Sequence, residues 1–181
     1  MIDPAVGALL AGAFALLFAS AALHKLGDLT RFAAAFRAYE VIPPRLAWAS
    51  IMVPVLELAV ALALLPPGSR AGAAAAGAAL LLAYAAAIGI NLIRGRRDLD
   101  CGCAGPSQVR PIGAWMLWRN LLLAVVLLTL LLPVAPRPLG GTDALTIGAG
   151  TAVVALLYMS LDVLLAQVAT RVARLSAGSR G

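Results

Sequence analysis

A chain of 181 residues that is 62% hydrophobic and only 12% charged is not a water-soluble domain, because such domains run at about 45–50% apolar and about 25% charged. The net charge of +6 does not point to nucleic acid. The Lys and Arg residues are spread over short connections rather than gathered in a patch, which is how a membrane protein orients its helices.

Five apolar stretches follow one another, at residues 5–23, 46–65, 71–90, 112–132 and 144–168. Each approaches the roughly 20 residues that cross a hydrocarbon core as a helix. Their runs of Ala and Leu lack the alternation of a barrel strand. The fold class is therefore all-α, a polytopic helical membrane bundle with lipid as its surroundings. The first stretch is expected to be retained despite the small residues Ala19, Ser20, Ala21 and Ala22, because no Lys or Arg precedes it as in a secretory signal. It closes on His24 and Lys25. A terminal Lys reads as a snorkelling anchor and a lone His as an interfacial residue.

Between the first two stretches, Leu29, Phe32, Ala33 and Phe36 recur at helical spacing, with Arg31 and Arg37 elsewhere on the wheel. The pattern predicts a short helix over 28–39 lying in the interface, stopped by Pro43 and Pro44. The second stretch carries Glu57, three residues after Pro54. An ionisable group at that depth costs about 2.5–3.5 kcal/mol on insertion scales, so it should face the interior and find a partner. Arg119 of the fourth stretch starts from the same membrane face and is the expected partner. A buried ion pair and a proton or quinone role are equally open for Glu57.

The third stretch is rich in Ala, which suits close helix packing, and ends at Asn91. Arg94, Arg96 and Arg97 follow, then Asp98-Leu99-Asp100-Cys101-Gly102-Cys103, with the only two cysteines of the chain. The fourth stretch carries Arg119 and Asn120. The chain thus divides into a four-helix core over 1–132 with its cysteine-bearing connection at 94–111, a Pro/Gly connector over 133–143, and a fifth helix with a basic tail over 144–181.

Most of the Lys and Arg residues fall at the ends of the first, third and fifth stretches, and only Arg70 and Arg137 lie at the opposite face. The positive-inside rule then puts the N-terminus outside the cell membrane and the cysteine connection in the cytoplasm. Whichever side is which, His24, Lys25, Arg37, Asn91, Arg94, Asp100, the cysteines, Arg119 and Asn120 gather at one face.

Cys101 and Cys103 can close a small, strained disulfide only through a bent backbone, which Gly102 permits. Strained disulfides exchange readily. The nearby arginines favour a thiolate while Asp98 and Asp100 oppose it. Two inert thiols remain a simpler alternative. A zinc site would need both cysteines, His24 and an Asp, and no metal is expected.

With His24-Lys25-Leu26, Phe32 to Tyr39, Pro43-Pro44-Arg45, Val53 to Glu57, Asn91 to Arg96, Asp98 to Gly105 and Arg119-Asn120 in this order, the chain resembles the methylamine-utilisation protein MauE family, within the DoxX-like small membrane proteins. The resemblance covers about two thirds of the sequence. It implies a membrane protein that matures the disulfide-rich small subunit of methylamine dehydrogenase beside a thioredoxin-like partner, with Cys101 and Cys103 as the family's cysteine pair and catalytic residues. Disulfide formation belongs outside the cytoplasm, so the charge count and the resemblance pull in opposite directions. Two cysteines on one face do not make a relay across the membrane; a quinone or another protein would complete it. The alternative is a non-catalytic assembly or stabilising subunit. A small transporter has little support, since no pair of broken helices is evident.

Overall fold

The computed structural model describes residues 1–43, 45, 48–99 and 112–178, with side chains as far as residue 168 except at 162, 165 and 166. Its helices are α1 (Pro4–Gly27), α2 (Leu29–Ala38), α3 (Ala49–Leu64), α4 (Arg70–Ile93), α5 (Ala114–Leu128) and α6 (Gly141–Gly178), with a 3₁₀ turn at Thr129–Leu131 extending α5. The protein is a multi-pass helical membrane bundle. α1, α4, α5 with its extension, and the Gly141–Leu161 part of α6 are long and apolar enough to span a bilayer.

α3 departs from the expected span over 46–65. Its 16 residues rise only about 24 Å, short of the roughly 30 Å hydrocarbon core. α6 departs the other way and runs on to Gly178, because the Ala, Leu and Arg residues after Val168 are good helix formers and no Pro or Gly interrupts them until Gly178.

α1 packs on α3, α3 on α4, and α4 on α5, while α6 lies on the flank against α1. The core joins the four inner helices through Phe14, Phe18, Val60, Leu64, Leu81 and Leu127. Small residues set the separations, as expected where lipid gives helices no hydrophobic drive to associate. A Cβ on Gly77 of α4 would sit 2.8 Å from a Leu127 methyl and 3.0 Å from the Phe18 ring. On the flank, a Cβ on Gly150 would collide with Leu9, and Thr151 Oγ1 donates to the Leu9 carbonyl at 3.3 Å.

The two ends of the bundle are fastened differently. At the N-terminal end Ile2 pairs with the connector, its N–H donating to the Pro133 carbonyl and its carbonyl accepting from Ala135, each at 2.8 Å. Arg137 there bridges Asp3 at 3.0 Å and Asp143 at 2.8 Å. Asp3 also caps α1, accepting from the Ala5 N–H at 2.8 Å. The Arg137 guanidinium, helped by the Ala5 N–H, holds the Asp3 carboxyl below the ordinary carboxylate range.

At the opposite end, α2 forms where the hydrophobic spacing places it. Asp28 caps it, accepting from the Arg31 N–H at 3.0 Å and the Thr30 hydroxyl at 2.8 Å. Its apolar side turns onto the bundle, with Phe32 buried. The end of α4 then clamps the end of α2. Asn91 Nδ2 donates to the Tyr39 carbonyl, Arg94 to the Glu40 carbonyl, and Arg96 to the Ala38 carbonyl and the Glu40 carboxylate. These donors satisfy the carbonyls that a helix C-terminus leaves open. They also hold Glu40 at φ 49°, a left-handed conformation that a residue with a Cβ seldom adopts.

Candidate functional site

Glu57 lies about 12 Å along α3 from Ala49, and Tyr84 about 14 Å back along α4 from Ile93, at 1.5 Å per residue. Both therefore sit well below the end of the bundle at which α2 lies. Lys25 is two residues short of the end of α1 and sends its long side chain down to meet them. Its Nζ donates to Glu57 Oε1 at 2.6 Å, and the Tyr84 hydroxyl donates to the same oxygen at 2.6 Å. Glu57 is fully buried and Lys25 is 4% exposed. The ammonium also lies 5.5 Å from the centre of the Phe32 ring and 5.4 Å from that of Tyr84, so carboxylate and ring faces together replace its lost hydration. Glu57 Oε2 is buried with no protein hydrogen-bond partner.

The partner of Glu57 is thus Lys25 rather than Arg119, and Lys25 is no snorkelling anchor. Its stem is long enough to carry the charge either to the surface or into the bundle, and the buried carboxylate draws it inward. Arg119 stacks instead on Trp115, 5.1 Å from the ring centre.

A cavity of about 510 Å³ opens beside the pair. It fills the space between α1 and α5, which meet only over a short stretch, with α2 above and Tyr158, Met159 and Val163 of α6 across its side. Its polar lining includes Glu57, Lys25, Tyr84, His24, Arg119 and Asn120, with Ser20, Tyr39 and Tyr158. Most of the remaining wall is apolar, from Leu17, Phe18, Leu80, Leu81 and Leu123 among others. His24 Nδ1 lies 2.7 Å from the Ser20 carbonyl, which can only accept, so Nδ1 is the donor there.

Of the residues singled out from sequence, the cavity therefore gathers His24, Lys25, Glu57, Arg119 and Asn120. Asn91 and Arg94 serve the clamp on α2. Arg37 turns back on its own helix, Nε donating to the Ala33 carbonyl at 3.2 Å, and is absent from the cavity lining. Tyr84 was not anticipated. Its signal is its place seven residues before Asn91, on the buried face of α4 that also carries Leu81 and Ile88. Cys101, Cys103 and Asp100 lie outside the described residues, and no cluster able to hold a metal occurs among the described residues.

What is described is the base of the cysteine-bearing connection. The Ile112 N–H donates to the Leu99 carbonyl at 3.1 Å, so the chain enters and leaves residues 100–111 at one place. Ile112 is buried against Ile88 and Met116, with Tyr39 and Leu99 packed around them. Ile88, Met116 and Tyr39 also line the cavity. The base of the connection and the roof of the cavity share side chains.

Comparison with known proteins places this arrangement. The family model described as methylamine utilisation protein MauE matches residues 3–133. The chain is 39% identical over 165 residues to the methylamine utilization protein MauE of Paracoccus versutus, covering 90% of this chain and 88% of that one. It is 36% identical over 153 residues to the MauE protein of Paracoccus denitrificans, covering 83% and 82%. It is 34% identical over 174 residues to that of Methylophilus methylotrophus, covering 93% and 90%. No solved structure matches.

Proposed function

The chain belongs to the methylamine utilisation protein MauE family, and from that premise we propose that it serves methylamine utilisation as a thiol–disulfide exchanger in the cell membrane. Cys101 and Cys103 trade a disulfide with a thioredoxin-like protein, which in turn matures a disulfide-bearing target. The observation that carries this reading is the pinned base of the connection, Leu99 with Ile112, resting on the polar cavity. A pair of thiols whose flanking chain is anchored over buried charged groups is held at a membrane face, where a soluble partner can reach it. The surplus of Lys and Arg at that end supports a cytoplasmic location for the pair.

In the exchange, a thiolate of the partner attacks one sulfur of the Cys101–Cys103 disulfide and expels the other as a thiolate. The partner's second cysteine then displaces the pair, so the partner gains a disulfide as that of Cys101 and Cys103 is reduced to two thiols. Cys101→Ser and Cys103→Ser variants test the proposal. One of them is expected to trap a mixed disulfide with the thioredoxin-like partner, and both should lower the fraction of correctly bonded target. Unchanged target disulfides in both variants would overturn thiol exchange and leave an assembly role. A membrane-impermeant maleimide, applied to intact and permeabilised cells, tests the location. Labelling of the pair in intact cells would overturn the cytoplasmic assignment.

A further inference from the structure

Glu57 Oε1 is saturated by Lys25 and Tyr84, while Oε2, in a residue with no exposed surface, has no protein partner. A buried acceptor left without a donor is costly, and a carboxylate oxygen can accept but not donate. The missing group is therefore a hydrogen-bond donor, and the cavity that Glu57 lines has room for much more than a water. At about 510 Å³ it falls within the roughly 300–1,000 Å³ of small-molecule sites.

The lining restricts the class of ligand further. The remaining wall is mostly apolar, so the ligand has a small polar head and an apolar remainder and arrives from the membrane. Phe32, Phe36, Tyr39 and Tyr84 line the cavity too, and their faces suit a flat ring. A phospholipid head would bring a desolvated phosphate beside the Glu57 carboxylate, which is unfavourable. A simple lipid alcohol meets one polar wall only, yet the cavity has two: Glu57 with Lys25 on one side, and Asn120, 4% exposed, on α5.

We propose that this cavity binds a membrane-dissolved hydroquinone, one hydroxyl donating to Glu57 Oε2 and the opposite ring oxygen facing the α5 wall at Asn120. The binding rests on the cavity and Glu57 alone; its use rests on the thiol-exchange reading. In that use the Cys101 and Cys103 thiols lose two electrons and two protons as their S–S bond forms. The quinone gains both and becomes the hydroquinone, whose hydroxyl is the donor that Oε2 lacks.

The test uses the full chain in nanodiscs and a decyl-substituted benzohydroquinone as probe, followed by quenching of tryptophan fluorescence. Saturable binding with one site per chain is expected. Glu57→Gln should weaken it about tenfold or more, the loss of a hydrogen bond to a charged acceptor. Ala87→Phe, which puts a ring into the cavity and leaves Lys25 and Glu57 themselves unchanged, should abolish it and guards against Glu57→Gln simply failing to fold. The doubly substituted Cys101→Ser, Cys103→Ser protein should bind as the parent does, so a failure of thiol exchange leaves this result standing. Absence of saturable binding, binding indifferent to both cavity variants, or stoichiometric recovery of a phospholipid or lipid alcohol from the cavity in place of quinone would overturn the proposal.

Discussion

At the end of the bundle that holds the N-terminus, Arg137 joins Asp3 and Asp143 in the open. At the other end, Lys25 meets Glu57 with both side chains out of water. Opposite charges touch in each case, at 2.6–3.0 Å, yet the consequences differ. The exposed network fastens chain segments that are already close, and water and salt weaken it. The buried pair sits where two apolar side chains would pack at lower cost, and it borders the cavity of about 510 Å³. A costly pair kept beside a ring-lined cavity is what a binding site needs.

The largest effect expected from breaking this contrast is at Lys25. Lys25→Ala leaves Glu57 buried without its counter-charge and should cost about 3–5 kcal/mol, read as an earlier unfolding transition of the purified protein in a rising fraction of denaturing detergent. Combining Lys25→Met with Glu57→Leu should restore most of that stability, because two apolar side chains need no desolvation. The same double variant should lose hydroquinone binding. Recovery of stability together with loss of binding would separate the pair's function from its packing. If the double variant is no more stable than Lys25→Ala, the cost does not come from the orphaned charge.

Tyr84→Phe comes next. It removes the second donor on Oε1 and leaves the ring and the ion pair in place. A hydrogen bond to a charged acceptor contributes about 1.5–3 kcal/mol, with the lower end expected because Tyr84 is only partly buried. An unchanged unfolding transition would mean that Lys25 alone satisfies this oxygen.

The spans over 5–23, 71–90 and 112–132 were legible because a run of Ala and Leu has no stable place outside lipid at that length. α2 was legible through its spacing and Asp28. What the sequence concealed is direction. Lys25 closes an apolar run, and nothing in its neighbours says whether a four-carbon stem reaches outward or inward. The pairing of Glu57 with Arg119 was reasonable by shared face and length, but α1 lies directly against α3 whereas α5 packs on α4. Helix order around the bundle decides the partner, and composition does not encode it. Tyr84 was readable from its interval to Asn91 once one face of α4 was taken as buried.

A smaller and more local effect is expected on the flank. Gly150→Leu would drive a side chain into Leu9, and overpacking of this kind costs about 1–3 kcal/mol. Because α6 lies mainly on α1, the strain should lift α6 while the four inner helices keep their transition. Limited proteolysis should then cut within 133–140 faster than in the parent, with unfolding of the remaining core unchanged. A shift of the whole transition would instead make α6 an integral part of the core.

The smallest effect belongs to the exposed network, and its sign follows from Asp3. Arg137 and the Ala5 N–H hold the folded carboxyl below its ordinary value of 3.8. A depressed folded value means that the unfolded chain takes up its proton first as pH falls. The stabilisation is therefore complete above that ordinary value and is lost as pH falls through the depressed one. Between pH 5 and 8 nothing should change; below about pH 4 the tie between Ile2 and the connector should loosen. Hydrogen exchange at the Ile2 and Ala135 amides, expressed as protection relative to the free peptide, measures it directly, since both amides donate across that tie. In Arg137→Ala the protection should be lower at neutral pH and its acid dependence should shrink, because Asp3 then keeps only its cap on α1. Protection that stays equal in the two proteins at every pH would show that the backbone pairing of Ile2 holds this end by itself, and that the exposed charges only decorate it.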